Sequence, residues 1–161
     1  MENQEYYMRI ALEEARLAFN EGEIPIGAIV VYQGEIIGRG HNTKEMNLNP
    51  FEHAEIIAMK EALKVVGKKY LDNCDLYITL EPCLMCTGAI INARIKNVYV
   101  GAENKRYTGL IEINTTFPKG TNKFNHYPNV IRNILQEDCA KILNEFFSKR
   151  REEKRKAKEE S

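Results

Sequence analysis

Predicted strands and helices alternate along this sequence, and that alternation restricts the fold more than any other feature. The chain begins with an amphipathic helix over residues 5–20 and continues with a β-hairpin over 26–39, whose turn is Gln33-Gly34. The remaining predicted elements are a helix over about 52–66 that ends at Gly67, a strand over 76–80, a helix from Pro82 to about Asn92, a strand over 97–101, a short strand at Val130-Ile131 and a final helix from about Gln136.

This order of elements predicts an α/β protein, namely a three-layer α/β/α sandwich with a central mixed five-stranded sheet. Strands that alternate with helices place the helices on the faces of a sheet. The early hairpin makes that sheet mixed, because strands joined by a tight turn are antiparallel. Residues 103–128 are predicted to be irregular. The helix over 52–66 is expected to bury Ala54, Ile57, Ala58, Ala62 and Val65.

Length and composition predict a single domain over 1–161, with a charged helical tail from about residue 149. The 161 residues are 43% hydrophobic and 29% charged, which is normal for a globular domain. No apolar run reaches the ~20 residues of a membrane helix, and the acidic N-terminus does not resemble a signal peptide. We therefore expect a cytoplasmic protein. The 23 basic and 23 acidic residues cancel and give no global argument for nucleic-acid binding.

Two short segments carry the candidate chemistry: His53-Ala54-Glu55 and Pro82-Cys83-Leu84-Met85-Cys86. Each lies at a predicted helix start. Two cysteines three positions apart project from one face of a helix, and the positive helix N-terminus favours their thiolate form. With the imidazole of His53 they supply three metal ligands, a set that suits zinc.

Three protein ligands leave a fourth tetrahedral position open, which is typical of a catalytic zinc site. The other candidate ligands lack ligand spacing to either segment. Cys74 precedes a strand, Cys139 lies in the apolar stripe of the last helix, and both are expected to be core residues. His41 and His126 are predicted to lie in loops.

These segments, extended to Phe51–Ile56 and Leu80–Ile90, resemble those of bacterial tRNA adenosine deaminases, which have the zinc-dependent, cytidine-deaminase-like fold. The resemblance spans nearly the whole chain. Further matching segments are Ile24-Pro25-Ile26-Gly27-Ala28, Asn42 after Gly40-His41, Val100-Gly101-Ala102, Phe124-Asn125-His126, and Phe146-Phe147 followed by Arg150-Arg151.

The resemblance implies a homodimer with one Zn²⁺ per subunit and no organic cofactor, which converts the wobble adenosine of a tRNA anticodon stem-loop to inosine. A zinc-bound hydroxide would attack the ring carbon, and Glu55 would carry the proton to the ring nitrogen as ammonia leaves. Substrate-binding positions implied in the same way are Asn42, Ala28, Ala54, Pro82 and Asn104.

The sequence departs from the family after the strand over 97–101. Relatives usually carry small residues such as Gly-Ala-Ala-Gly-Ser there, whereas this chain has Tyr107-Thr108-Gly109-Leu110-Ile111-Glu112. Asn104 also stands where some relatives have aspartate, and an amide can both donate and accept a hydrogen bond. These departures bear on the choice of substrate and not on the zinc chemistry.

Several alternatives remain open at this point. The enzyme could act on free guanine, cytosine or cytidine, or the chain could be a zinc-stabilised RNA-binding module without catalysis. Asn42 could bond its own backbone instead of a substrate. The charged tail could be a solvated helix end or could contact phosphates. Aromatic side chains that could stack on bases or pack under their loop are Tyr107, Phe117, Phe124 and Tyr127.

Overall fold

A computed structural model describes residues 2–161 of the chain. Five helices and five strands follow one another in nearly the predicted order. Their bounds are α1 Glu2–Asn20, β1 Gly27–Tyr32, β2 Glu35–His41, α2 Ala54–Val66, β3 Asp75–Leu80, α3 Leu84–Ala93, β4 Asn97–Ala102, α4 Leu110–Thr116, β5 Asn129–Ile131 and α5 Gln136–Glu160.

The five strands form one mixed sheet in the order β2-β1-β3-β4-β5. Strand β1 runs antiparallel to both β2 and β3, whereas β3, β4 and β5 are mutually parallel. The hairpin and the parallel strands therefore have the arrangement that the sequence predicts. Within the parallel part of the sheet, the carboxyl end of β3 lies beside that of β4, because Leu80 pairs with Ala102.

Alternate residues of the central strands face two separate cores. In β1, Ala28 and Val30 pack towards the layer of α2 and α3, while Ile29 and Val31 pack towards the layer of α1 and α5. This period-two alternation is what a sheet with both faces covered requires. The predicted three-layer α/β/α sandwich is confirmed.

Helix α2 packs unusually close to the hairpin strand β2. A Cβ atom added to Gly40 would lie 2.4 Å from the carbonyl oxygen of Ala54, so only glycine permits this approach. Helix α2 ends as predicted at Gly67, whose φ of 66° lies in the left-handed region. The first residues of α2 are thereby held against the end of the sheet, where β3 leads into α3.

The structure corrects four details of the prediction. The supposedly irregular segment 103–128 contains α4, and Pro82 lies one residue before the N-cap of α3 instead of in its first turn. Val65 is 62% exposed because α2 runs past its last buried residue, Ala62. His41 is the last residue of β2 and not a loop residue. Throughout residues 2–161, we find no helix with the length and apolar character needed to cross a membrane.

Candidate metal and catalytic site

The starts of helices α2 and α3 meet beside the carboxyl end of β3. His53 and Cys83 are the N-cap residues of these helices, and both have an extended backbone. Neither side chain caps its own helix, so both are free to point towards a shared point. The structure therefore brings together the two segments that the sequence singles out, although they are 30 residues apart.

The three candidate ligands have the spacing of a tetrahedral metal site. The Nδ1 atom of His53 lies 3.7 Å from Sγ of Cys83 and 3.6 Å from Sγ of Cys86. Zinc bonds of normal length at a tetrahedral angle would separate nitrogen and sulfur by about 3.6 Å. All three ligand atoms lie within 4.8 Å of one another. The donor set and the distances fit a zinc ion.

Hydrogen bonding among the three ligands shifts their proton affinities strongly. The thiol of Cys86 donates towards Cys83, and this contact, with a further one from His53, lowers the pKa of Cys83 to about 4. The same contact and burial raise the pKa of Cys86, and the bond to Cys83 raises the pKa of His53. A bound cation requires a neutral imidazole and two thiolates, so metal binding here would release protons.

Glu55 lies in the first turn of α2 and is only 3% exposed. Burial raises the pKa of its carboxyl group from 4.5 to about 7, while the charge of His53 opposes part of that rise. A carboxyl group with a pKa near neutrality can both accept and donate a proton under physiological conditions. Its position beside the three ligands therefore suits a proton carrier.

A cavity of about 580 Å³ opens onto this cluster. Its walls include Glu55, His53 and Cys83, together with the predicted substrate residues Asn42 and Asn104. The other three predicted substrate residues, Ala28, Ala54 and Pro82, are buried and do not line the cavity. A cavity of this volume is large enough to hold a nucleobase.

The side chain of Asn42 holds the start of α2 in place. Its Oδ1 atom accepts the backbone N–H of Ala54 at 3.0 Å, and Asn42 is only 6% exposed. It thus bonds a backbone 12 residues away and not its own turn. Asn104 uses its Oδ1 atom differently, because it accepts the N–H of Arg106 within the same loop.

Two buried carboxylates were not predicted from the sequence. Glu23 is 2% exposed and accepts the backbone N–H groups of Glu45 and Met46. Glu81 is 6% exposed and accepts those of Asn104 and Ile111. The one signal for Glu81 is its place between a buried strand and Pro82, where a charged residue requires a partner.

The remaining candidates lie outside the cluster. Cys74 and Cys139 are buried core residues, as predicted. His41 bonds Glu14 and Glu21, and His126 bonds the carbonyl of Ile95.

Three of the four loop aromatics pack against one another. The ring of Phe124 lies 5.7 Å from that of Phe117 and 5.8 Å from that of Tyr127, as in packing under a loop. Tyr107, by contrast, is 69% exposed at the mouth of the cavity. Of these four loop aromatics, Tyr107 alone lines the cavity, and its ring is open to a ligand there.

Comparison with known families and sequences agrees with this geometry. A family model for MafB19-like deaminases matches residues 2–151. A tRNA-specific adenosine deaminase of Aquifex aeolicus is 40% identical over 152 residues, which cover 92% of this chain and 96% of that protein. The corresponding enzyme of Bacillus subtilis is 37% identical, with 98% and 97% covered.

The similar solved structures are also deaminases. A structure from a study of tRNA deaminases that edit adenosine to inosine at the wobble position superimposes with a TM-score of 0.79 at 36% identity, covering 86% of this chain and 99% of that one. Guanine deaminase of Bacillus subtilis superimposes with a TM-score of 0.59 at 42% identity, covering 62% and 64%. The chain therefore belongs to the MafB19-like deaminase family and, within it, to the tRNA-specific adenosine deaminases.

Proposed function

We propose that this protein hydrolyses the wobble adenosine of a tRNA anticodon loop to inosine and ammonia. The observation that carries the proposal is that His53, Cys83 and Cys86 cluster within metal-binding distance, and that the buried carboxyl group of Glu55 lines the same cavity as His53 and Cys83. A structural zinc site needs no such carboxyl group, so its presence favours catalysis over a purely stabilising metal. Full-length similarity to tRNA-specific adenosine deaminases supports the choice of substrate.

One zinc ion per chain is the proposed cofactor, with no organic cofactor. His53, Cys83 and Cys86 would hold it. When bound, zinc lowers the pKa of a coordinated water towards about 7 and so supplies the nucleophile. Metal analysis of purified protein should find about one zinc per chain, and less than half that amount would argue against the assignment.

Glu55 is proposed to move the proton. Its carboxylate oxygen accepts a proton from the attacking water and delivers it to the ring nitrogen beside the carbon that bears the amino group. Glu55 then transfers the remaining hydroxyl proton of the adduct to the amino group, which leaves as ammonia while the ring carbon becomes a carbonyl, so water is consumed and ammonia released in equal amounts. The raised pKa of Glu55 suits both halves of this transfer.

Base recognition is assigned to Asn42 and Asn104 on the cavity wall, with Ala28, Ala54 and Pro82 shaping the site from buried positions. The target base would leave its loop to enter the cavity, and bases in RNA loops do so readily because they are already unstacked. A tRNA substrate also implies a cytoplasmic protein. That the chain forms one catalytic domain with a tail stays a prediction.

A homodimer is the proposed assembly. Apolar side chains flank the ligands on the surface: Phe51 is 63% exposed, Leu84 is 61% exposed and Met85 is 36% exposed. Exposed apolar side chains grouped in this way are typical of protein interfaces. Light scattering coupled to size-exclusion chromatography should give twice the chain mass of 18.6 kDa. A single-chain mass would contradict this part of the proposal.

Deamination of free guanine is the second candidate, because the structural likeness to guanine deaminase reaches 42% identity over 62% of the chain. The metal cluster and Glu55 would serve either reaction. The two functions differ in the substrate that enters the cavity and in whether nucleotides beside the target base contribute to binding.

The decisive experiment measures ammonia release and product identity with an adenosine-bearing anticodon stem-loop. Parallel reactions hold free adenosine, guanine, cytosine and cytidine, and Glu55→Ala protein serves as the control. Inosine formed in RNA by the wild type alone would support the proposal. Turnover of a free base with inert RNA would transfer the protein to nucleobase metabolism.

A further inference from the structure

The carboxylate of Glu81 ties together both ends of one loop at the cavity. Its Oε1 atom accepts the backbone N–H of Asn104 at 3.0 Å, and its Oε2 atom accepts that of Ile111 at 2.9 Å. The segment from one donor to the other, residues 104–111, ends with the first two residues of α4, and we call it the rim loop. One buried carboxylate therefore fixes both ends of this loop.

A second set of contacts presses the rim loop against the metal-binding segment. The N–H of Leu110 donates to the carbonyl oxygen of Pro82 at 3.1 Å, and Gly109 forms a β-bridge with Cys83. A Cβ atom on Gly109 would lie only 2.6 Å from the Pro82 oxygen and 2.9 Å from Oε2 of Glu81. The loop thus lies as close to Glu81 as a backbone can.

The middle of the rim loop presents basic and aromatic side chains at the mouth of the cavity. Lys105, Arg106 and Tyr107 are exposed and line that mouth, and the guanidinium of Arg106 lies 5.8 Å from the ring centroid of Tyr107. Cations that pair with phosphates and aromatic faces that stack on bases are the groups with which proteins bind single-stranded RNA.

We propose that Glu81 is a positioning residue that sets RNA affinity by fixing the rim loop, so that Lys105, Arg106 and Tyr107 reach the nucleotides flanking the target base. This inference rests on the proposed function for its substrate. Glu81 takes no part in proton transfer. Its removal should therefore weaken binding of the polymer more than it slows the chemical step.

Glu23 offers a matched control within the same molecule. It is also a buried glutamate, it directly precedes the cavity-lining residue Ile24, and its carboxylate also accepts two backbone N–H groups, those of Glu45 and Met46. The loop that it anchors is a different one, at 43–51. Glu23→Gln therefore removes the same kind of contact without touching the rim loop.

The test compares Glu81→Gln, Glu81→Asp and Glu23→Gln by hydrogen–deuterium exchange and by steady-state kinetics on the RNA stem-loop. Glutamine keeps one acceptor oxygen and aims an NH₂ group at a backbone N–H, so one of the two bonds is lost. We expect amide exchange across 104–111 to quicken and KM for RNA to rise by about tenfold, the equivalent of one hydrogen bond to a charged group. The change in kcat should be smaller, and zinc content should stay at the wild-type level.

Two further comparisons separate positioning from general damage. Glu81→Asp keeps both acceptor oxygens and should recover part of the KM loss, whereas Glu23→Gln should quicken exchange near 45–46 and leave 104–111 as in the wild type. As a single substitution, Arg106→Ala should raise KM for RNA. Combined with Glu81→Gln it should raise KM little further, because a loosened rim loop no longer holds Arg106 against the RNA.

The inference is overturned if exchange across the rim loop is unchanged in Glu81→Gln, if kcat falls while KM stays constant, or if the effects of Glu81→Gln and Arg106→Ala simply add. Failure of the proposed function looks different, since the wild-type protein itself would then leave RNA unconverted. The exchange measurement needs neither substrate nor turnover, so it reports on the Glu81 anchor in either case.

Discussion

Ionisable side chains are buried or half-buried at the helix starts that carry the metal ligands, whereas they are exposed to solvent in the last turns of α5. At the helix starts, Glu55 is 3% exposed and Cys86 is fully buried, and burial or direct contact shifts the proton affinity of every group. Along residues 151–160 every side chain is exposed. Ion pairs there form one turn apart, between Arg155 and Glu159 and between Lys156 and Glu152.

This difference teaches where function can be inferred from charge. Burying a carboxyl group costs free energy unless something compensates, so a buried and shifted group such as Glu55 indicates a functional site. Exposed pairs at i and i+4 are screened by water and are nearly neutral for stability. The tail pairs fit the solvated-helix alternative for this segment, and contact with phosphates stays untested.

The largest effect is expected from removing a ligand. Cys86→Ala leaves one thiolate and one imidazole, too few to hold zinc firmly, so the bound metal should fall to a small fraction of one per chain. Turnover should drop by at least about a thousandfold, because the metal's several kcal/mol of transition-state stabilisation is lost. Metal analysis and ammonia release measure the two effects.

Cys139→Ala is the matched control for that experiment. Cys139 is as fully buried as Cys86, but it lies in the core between the sheet and α5. The variant should keep its zinc and most of its activity while losing a little stability from the lost sulfur. Equal zinc loss in both variants would mean that burial, and not ligation, explains the Cys86 result.

Glu55→Gln should have the next largest effect. The amide keeps the size of the side chain but cannot accept and return a proton, so kcat should fall by about 10²- to 10⁴-fold. Zinc content should remain near one per chain, because Glu55 is not one of the three clustered ligands. A variant that retained more than a tenth of wild-type kcat would remove Glu55 from the proton path.

The free energy of unfolding of the metal-free protein, measured as a function of pH, tests the burial of Glu55. Burial raises the pKa of Glu55 from 4.5 to about 7, so the folded state holds this proton more tightly than the unfolded state. The resulting stability is complete below pH 4.5 and is lost as pH rises to about 7. The loss should be on the order of 3 kcal/mol by the cost of each unit of pKa.

Glu55→Gln provides the reference for that titration, because its side chain does not ionise. Urea unfolding of both proteins across this pH range gives the difference in free energy of unfolding. The wild type should lose stability relative to the variant as pH rises. Parallel curves would mean that Glu55 is solvated in solution and carries no raised pKa.

Much of the fold and of the metal cluster followed from the sequence because both depend on local patterns. Apolar runs define β1, β3 and β4, and the two motifs lie at helix starts, where His53 and Cys83 make no side-chain cap bond to their own helices. Helix α4 was missed because Leu110 is its one buried residue, so no apolar period marks it.

The buried anchors were not predictable in the same way. Glu23 and Glu81 bond backbone N–H groups that lie 22 to 30 residues further along the chain, and a backbone group has no side-chain identity that a sequence could display. Their partners become known only when the fold brings the loops together. Positions that we expect to contact the substrate, such as Asn42, share this difficulty and stay predictions.

The smallest effect is expected from the tail. The side chains of Arg155 and Glu159 are 62% and 63% exposed, and their pair is 3.0 Å apart. Arg155→Ala should therefore change the free energy of unfolding by less than about 0.5 kcal/mol, as measured by urea denaturation. A larger loss would mean that the tail packs on another surface in solution.

The same variant also tests phosphate contact, because losing one such contact should reduce the salt dependence of RNA affinity by about one unit of slope. An unchanged slope would leave Arg155 as an ordinary solvated residue, in full contrast to the shifted groups at the helix starts.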